Sequence, residues 1–127
     1  FLCKITKMKK ILIVDDEPNI IMSLEYALKK NGFEVFVARD GQEALDILKK
    51  KIPDLVLLDI MMPNVDGYET LQKIKENEKL AAVKVLFLSA KNKPADIEKG
   101  LQLGAVGYMT KPFSLKKMIS EINDLLN

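Results

Sequence analysis

Residues 11–17 read Ile11-Leu12-Ile13-Val14-Asp15-Asp16-Glu17, four apolar side chains in succession that run straight into three acids. An unbroken apolar run of this length, rich in β-branched residues, predicts a strand covered on both faces, as a parallel sheet flanked by helices requires. Leu55–Leu58 repeats the pattern and ends in Asp59. Further β-rich runs lie at Glu34–Val37, Val83–Leu88 and Ala105–Met109, with helical spacing in the gaps. Ile20, Leu24, Ala27 and Leu28 mark a first helix that stops at Asn31-Gly32, where glycine suits the position after the last turn. Shorter helical patterns cover Gly41–Lys50, Tyr68–Glu78 and Ala95–Leu103. Leu115, Met118, Ile119, Ile122, Leu125 and Leu126 form the clearest apolar stripe, with Ser114 placed to cap it. The expected class is α/β: five βα units in one open, helix-covered parallel sheet.

Bulk properties narrow the function. The 127 residues fit one domain, with 48% hydrophobic and 30% charged content. No apolar run reaches the roughly 18 residues of a membrane span, so no membrane role is expected. Twenty basic against eighteen acidic residues leave +2. The lysine runs at 29–30, 49–51 and 116–117 fall at expected helix ends, where they oppose the helix dipole, so direct nucleic-acid binding is not expected. A lone Cys3 forms no internal disulfide, which suits the cytoplasm. Residues 1–7 read as a leader or added segment ahead of Met8-Lys9-Lys10, and the domain as residues 8–127. The chain contains no histidine, so any histidine chemistry must come from a partner.

Open parallel sheets bind ligands at the carboxyl ends of their strands. Here those ends carry Asp15, Asp16 and Glu17, then Asp59, then Ser89, then Thr110 and Lys111. Converging carboxylates repel one another unless a cation relieves them. With neither histidine nor a cysteine cluster available, hard oxygen donors point to Mg²⁺, with Mn²⁺ as the alternative. Lys111 and the Ser89 hydroxyl would then add donors for an anion beside the ion. That constellation suits a phosphoryl group carried on a carboxylate.

Taken singly, each residue has an ordinary reading. Asp15 or Asp16 caps a helix ahead of Pro18, Asp59 is a loop acid, and Lys111-Pro112 is a solvated loop. Ser89 is a strand-end hydroxyl and Tyr108 a half-buried aromatic. Asp66-Gly67 is read as a turn. Their joint placement at strand ends favours the functional reading.

Leu12–Glu17, Leu57-Leu58-Asp59-Ile60-Met61-Met62-Pro63-Asn64-Val65-Asp66-Gly67, Ser89-Ala90, and Tyr108 ahead of Lys111-Pro112-Phe113 together resemble the receiver domain of two-component response regulators, over residues 8–127. The chemotaxis-type single-domain regulators are similar. The resemblance implies a flavodoxin-like fold with strand order 2-1-3-4-5. It makes Asp59 the phosphoacceptor, with Asp16, Asp59 and the main-chain carbonyl of Met61 on the metal and Asp15 holding the ion's water. It gives Ser89, Ala90 and Lys111 to the phosphoryl group, Ala90 by being small, and implies a cis Lys111-Pro112 bond. Ser89 and Tyr108 become the switch, acting on the fourth helix, fifth strand and fifth helix.

The implied partners are a sensor histidine kinase or phosphotransfer protein and a downstream effector domain or protein. A phosphorylation-dependent homodimer is a further option. Gly104-Ala105-Val106-Gly107-Tyr108 lacks the acidic pair that many winged-helix regulators carry there, which disfavours their shared dimer interface. Met61 and Lys91 stand where the family tunes hydrolysis. The expected protein is a switch that catalyses only its own phosphorylation and dephosphorylation. Phosphatases of the haloacid dehalogenase type need a second Asp two positions after the nucleophile, where this chain has Met61. A flavodoxin-type cofactor loop is equally poor, because Asp15-Asp16-Glu17 repels an unescorted phosphate.

Overall fold

The computed structural model describes residues 8–62 and 65–126. The expectations for the leader 1–7, with Cys3, and for Pro63, Asn64 and Asn127 lie outside the described residues. Five strands, β1 (Lys10–Val14), β2 (Glu34–Ala38), β3 (Leu55–Leu58), β4 (Lys84–Ser89) and β5 (Gly107–Thr110), alternate with five helices. These are α1 (Pro18–Lys30), α2 (Gly41–Leu48), α3 (Gly67–Glu76), α4 (Pro94–Gln102) and α5 (Leu115–Leu126). The strands are all parallel in the order β2-β1-β3-β4-β5, so the expected α/β class and the 2-1-3-4-5 topology are both observed.

Strand pleating divides the core into two layers. Leu12, Val14, Val56, Leu58, Val85 and Phe87 face α2 and α3, meeting Ala44, Leu48, Leu71 and Ile74. Their neighbours Ile11, Ile13, Leu55, Leu57, Leu86 and Leu88 face α1 and α5, meeting Ile21, Leu24, Leu28, Met118 and Ile122. Both residue parities are therefore buried on the central strands, which is why these strands read as unbroken apolar runs rather than alternating ones. Each large side chain removed from water in this way contributes about 1.5–3 kcal/mol.

Helix ends follow local chemistry. At the end of α1, Gly32 takes φ +87, its N–H bonds to the Lys29 carbonyl, and the Phe33 N–H bonds to that of Leu28. This Schellman closure stands where Asn31-Gly32 predicted a stop. The same closure ends α4, with Gly104 at φ +109, Gly104 N–H to Leu101 and Ala105 N–H to Gly100. It corrects the fifth strand: residues 104 and 105 are consumed in closing the helix, so β5 begins at Gly107 rather than Ala105. α2 ends at Leu48, two residues short of the expected Lys50. α3 stops at Glu76 because Asn77 leaves the helix and caps a separate 3-10 turn, Glu78–Leu80.

The turn read at Asp66-Gly67 is also corrected. Asp66 is the N-cap of α3, its carboxylate accepting from the Glu69 N–H at 2.9 Å, and Gly67 is the first residue of the helix.

Candidate functional site

β1 and β3 are neighbours in the sheet, with Val14 in register with Leu58, so the residues that follow them emerge side by side. The Asp59 N–H still bonds to the Val14 carbonyl at 2.9 Å, and the Asp15 N–H to that of Ala38 at 3.1 Å. These ladder extensions hold both acids at the sheet's edge while burying them, to 1% exposure for Asp15 and 4% for Asp59. Each then commits one carboxylate oxygen to its own loop. Asp15 Oδ1 accepts from Glu17 N–H at 2.9 Å, and Asp59 Oδ1 accepts from Met61 N–H at 3.3 Å.

The second oxygens of both acids converge on Lys111. Its Nζ lies 2.9 Å from Asp15 Oδ2, 3.6 Å from Asp59 Oδ2 and 2.7 Å from Glu17 Oε1. Lys111 arrives from β5, where its N–H bonds to the Ser89 carbonyl at 2.8 Å, and the Lys111–Pro112 peptide bond is cis.

The electrostatics follow from this crowding. Burial raises the Asp59 carboxyl from 3.8 to about 6, and the Asp15 and Asp16 charges push the same way. Lys111 and the Met61 N–H oppose them without winning. Burial works to lower the Lys111 pKa, but hydrogen bonds to Glu17 and Asp15 and the Asp15 and Asp59 charges outweigh it and leave it raised. The site thus pairs a firmly protonated ammonium with a carboxylate of weakened acidity.

Oxygen atoms of Asp15, Glu17 and Asp59 lie within 4.8 Å of one another. An all-carboxylate donor set of this span fits a hard divalent cation. Asp16 is exposed and stands outside that trio, lining the adjoining open cleft with Met61, Met62 and Tyr68. Glu17 is the member that reading by sequence left out. Its signal was present, as the third acid after β1, but its carboxylate is 57% exposed at the N-cap of α1 and carries no pattern that separates it from a solvated acid. Neither Asp15 nor Asp16 caps α1: Glu17 is its N-cap, without a side-chain hydrogen bond.

Ser89 ends β4 fully buried, and its hydroxyl accepts from Lys91 N–H at 3.2 Å. Ala90 beside it is exposed. The Tyr108 hydroxyl donates to the Lys91 carbonyl at 2.7 Å. Gly67 was also missed as a site residue. A Cβ there would fall 2.4 Å from the Asp59 carbonyl oxygen and 2.7 Å from Ile60 Cα, so only glycine lets α3 start against the backbone of the buried acid.

Fold and site together define an open α/β domain that carries a buried acid, a metal-type carboxylate cluster and a lysine at the carboxyl end of its sheet. The chain belongs to the response regulator receiver domain family, whose pattern matches residues 11–123. It is 41% identical over 118 residues to the alkaline phosphatase synthesis transcriptional regulatory protein PhoP of Bacillus subtilis, covering 93% of this chain and 48% of that one. The chain thus spans about half the length of that curated relative. Among solved structures it is similar to the Vibrio cholerae chemotaxis protein CheY4, at TM-score 0.89 and 29% identity, covering 94% of this chain and all of that one. It is likewise similar to the BeF3-activated DrrB receiver domain, at TM-score 0.86 and 29% identity, covering 94% and 98%. No helix among the described residues is long and apolar enough to cross a membrane.

Proposed function

We propose that this receiver domain is a cytoplasmic phosphorylation switch in which the Asp59 carboxylate takes a phosphoryl group from a phosphohistidine of a sensor kinase or phosphotransfer protein. The observation that carries the reading is the burial of Asp59 at the end of a central strand, with Lys111 Nζ 3.6 Å from its free oxygen. An Asp59 oxygen attacks phosphorus, the P–N bond breaks with its electron pair passing to the imidazole, and an acyl phosphate remains on the domain. The Met61 N–H keeps Oδ1 turned into the loop, so Oδ2 is the oxygen offered to the donor.

Asp15, Asp59 and Glu17 or Asp16, with the Met61 main-chain carbonyl, would hold Mg²⁺ or Mn²⁺. Bound there, the ion supplies charge that offsets the carboxylates and the phosphoryl oxygens. Lys111 releases Asp15 and Glu17 to pair with the transferred group, and Ser89 and Ala90 leave room beside it. Charge and positioning supply most of the catalysis.

The response runs through Ser89 and Tyr108 to α4, β5 and α5, a packing equilibrium biased by the new charge. A downstream effector domain or protein would read that face, with a phosphorylation-dependent homodimer as one form of output. The domain catalyses its own phosphorylation and dephosphorylation and turns over no external substrate.

Intact mass after incubation with acetyl phosphate, with and without Mg²⁺, tests the chemistry. A Mg²⁺-dependent gain of one phosphoryl group, about 80 Da, absent in Asp59→Asn, is the expected result. No gain in a chain that still titrates with Mg²⁺ would leave a domain that signals by binding alone.

A further inference from the structure

α4 is seated on the sheet unlike the other helices. α1 sinks Ile21, Leu24 and Leu28, α3 sinks Leu71 and Ile74, and α5 sinks Met118 and Ile122, whereas the one fully buried residue of α4 is Gly100. A Cβ on Gly100 would come within 2.8 Å of the Phe87 ring and 3.2 Å of the Tyr108 ring, so the helix backbone rests directly on that aromatic pair. A helix without a buried apolar side chain of its own is easily displaced.

Two phenols hold its N-terminal end. The Tyr108 hydroxyl, from β5, donates to the Lys91 carbonyl just before the helix at 2.7 Å. The Tyr68 hydroxyl, from α3, donates to the Asp96 carbonyl in its first turn at 3.3 Å. Both rings pack on Phe87, with centroid separations of 5.6 Å for Tyr68 and 5.9 Å for Tyr108. Lys99 of α4 places its ammonium 4.3 Å from the Tyr68 ring centroid, a second tie between the same ring and the same helix.

We propose that Tyr68 is a second switch-coupled tyrosine: it grips the first turn of α4 from α3, and through Phe87 it shares its packing with Tyr108. The proposal rests on the phosphorylation reading above. Tyr108 alone ties down the loop before α4; with Tyr68 added, the segment is held at one carbonyl ahead of the helix and one in its first turn, so that rotation about either is resisted. A displacement of α4 away from α3 when Asp59 is modified breaks the Tyr68 contact, so Tyr68 sets how much of the phosphoryl signal is spent on moving the helix.

The test compares wild type, Tyr68→Phe and Tyr68→Leu as full chains with Mg²⁺. Beryllofluoride is titrated while the amide shifts of residues 94–110 are followed, and amide exchange of α4 is measured before any addition. Loss of one hydroxyl contact in Tyr68→Phe is expected to lower the beryllofluoride midpoint about fivefold and to speed α4 exchange by a similar factor, with α1 unchanged. In a Tyr108→Phe background the same substitution should do measurably less, because the two grips share one ring stack.

Unchanged midpoint and α4 exchange in Tyr68→Phe would overturn the proposal, and so would exchange that quickens equally in α1. Tyr68→Leu should exceed Tyr68→Phe; if it does not fold, the Phe variant decides alone. Acetyl phosphate mass spectra separate the two levels. A wild type that gains no phosphoryl group overturns the switch reading itself, whereas a wild type that gains one while Tyr68→Phe behaves as wild type overturns only the role of Tyr68.

Discussion

Asp59 shows how one residue carries opposing demands. Its burial serves the proposed phosphoryl transfer but costs stability, because the carboxyl's pKa is raised from 3.8 to about 6 in the folded chain. The folded state therefore holds the proton more tightly than the unfolded one. This group's contribution is intact below about pH 4 and is lost as pH rises through about 6. In metal-free buffer at pH 7.5, Asp59→Asn should stabilise the domain by about 2 kcal/mol in urea unfolding, with the gain vanishing near pH 4. An equal gain at both pH values would show that the carboxylate is not strained by its surroundings.

Glu17 adds a second prediction at this scale. It supplies negative charge near Asp59 and also draws the Lys111 ammonium toward the rim. Glu17→Gln removes both effects, and the loss of each weakens cation binding, so Mg²⁺ affinity by calorimetry should fall about fivefold. If the effect persists undiminished in a Lys111→Met background, Glu17 acts by its own charge and not through the lysine.

At the scale of elements, two glycines that look alike in sequence do different jobs. Gly32 closes α1 with φ +87 and open space around it, so Gly32→Ala pays only for the left-handed backbone, about 1 kcal/mol. Gly67 begins α3 against the Asp59 carbonyl, where the neighbour a Cβ would meet is backbone. Gly67→Ala should cost about 2–3 kcal/mol in denaturant unfolding and slow the phosphorylation proposed for Asp59, while Gly32→Ala leaves that rate unchanged. The element order was readable because apolar runs and helical spacing are local. The start of β5 was not, because the carbonyls of Gly100 and Leu101 capture the amides of residues 105 and 104, and a strand propensity does not register that competition.

Over the whole molecule, the two core layers meet at an edge where three acids and one lysine share a few ångströms. A cation that binds the folded edge and not the unfolded chain must stabilise the whole domain by mass action, about 2.7 kcal/mol at a hundred times Kd. Thermal unfolding in 10 mM MgCl₂ against excess chelator should therefore show a higher Tm with the metal in wild type. That rise should be largely lost in Asp15→Asn. A rise of the same size in the variant would place the ion elsewhere.

Much of this was settled by the order of residues alone. Unbroken apolar runs at Ile11–Val14 and Leu55–Leu58 demand a sheet covered on both faces, and the acids, hydroxyl and lysine that follow the runs must then emerge at one edge. Strand parity and helical period are properties of neighbouring residues, so they survive without knowledge of the fold. The tertiary structure alone decided that Glu17 joins Asp15 and Asp59 around Lys111 while Asp16 faces the open cleft. It alone decided that Gly67 lies on the Asp59 backbone, and that Tyr68 reaches α4. Those facts depend on contacts between residues as far apart as 15 and 111, and only the packing of β1, β3 and β5 into one sheet brings such partners within bonding distance.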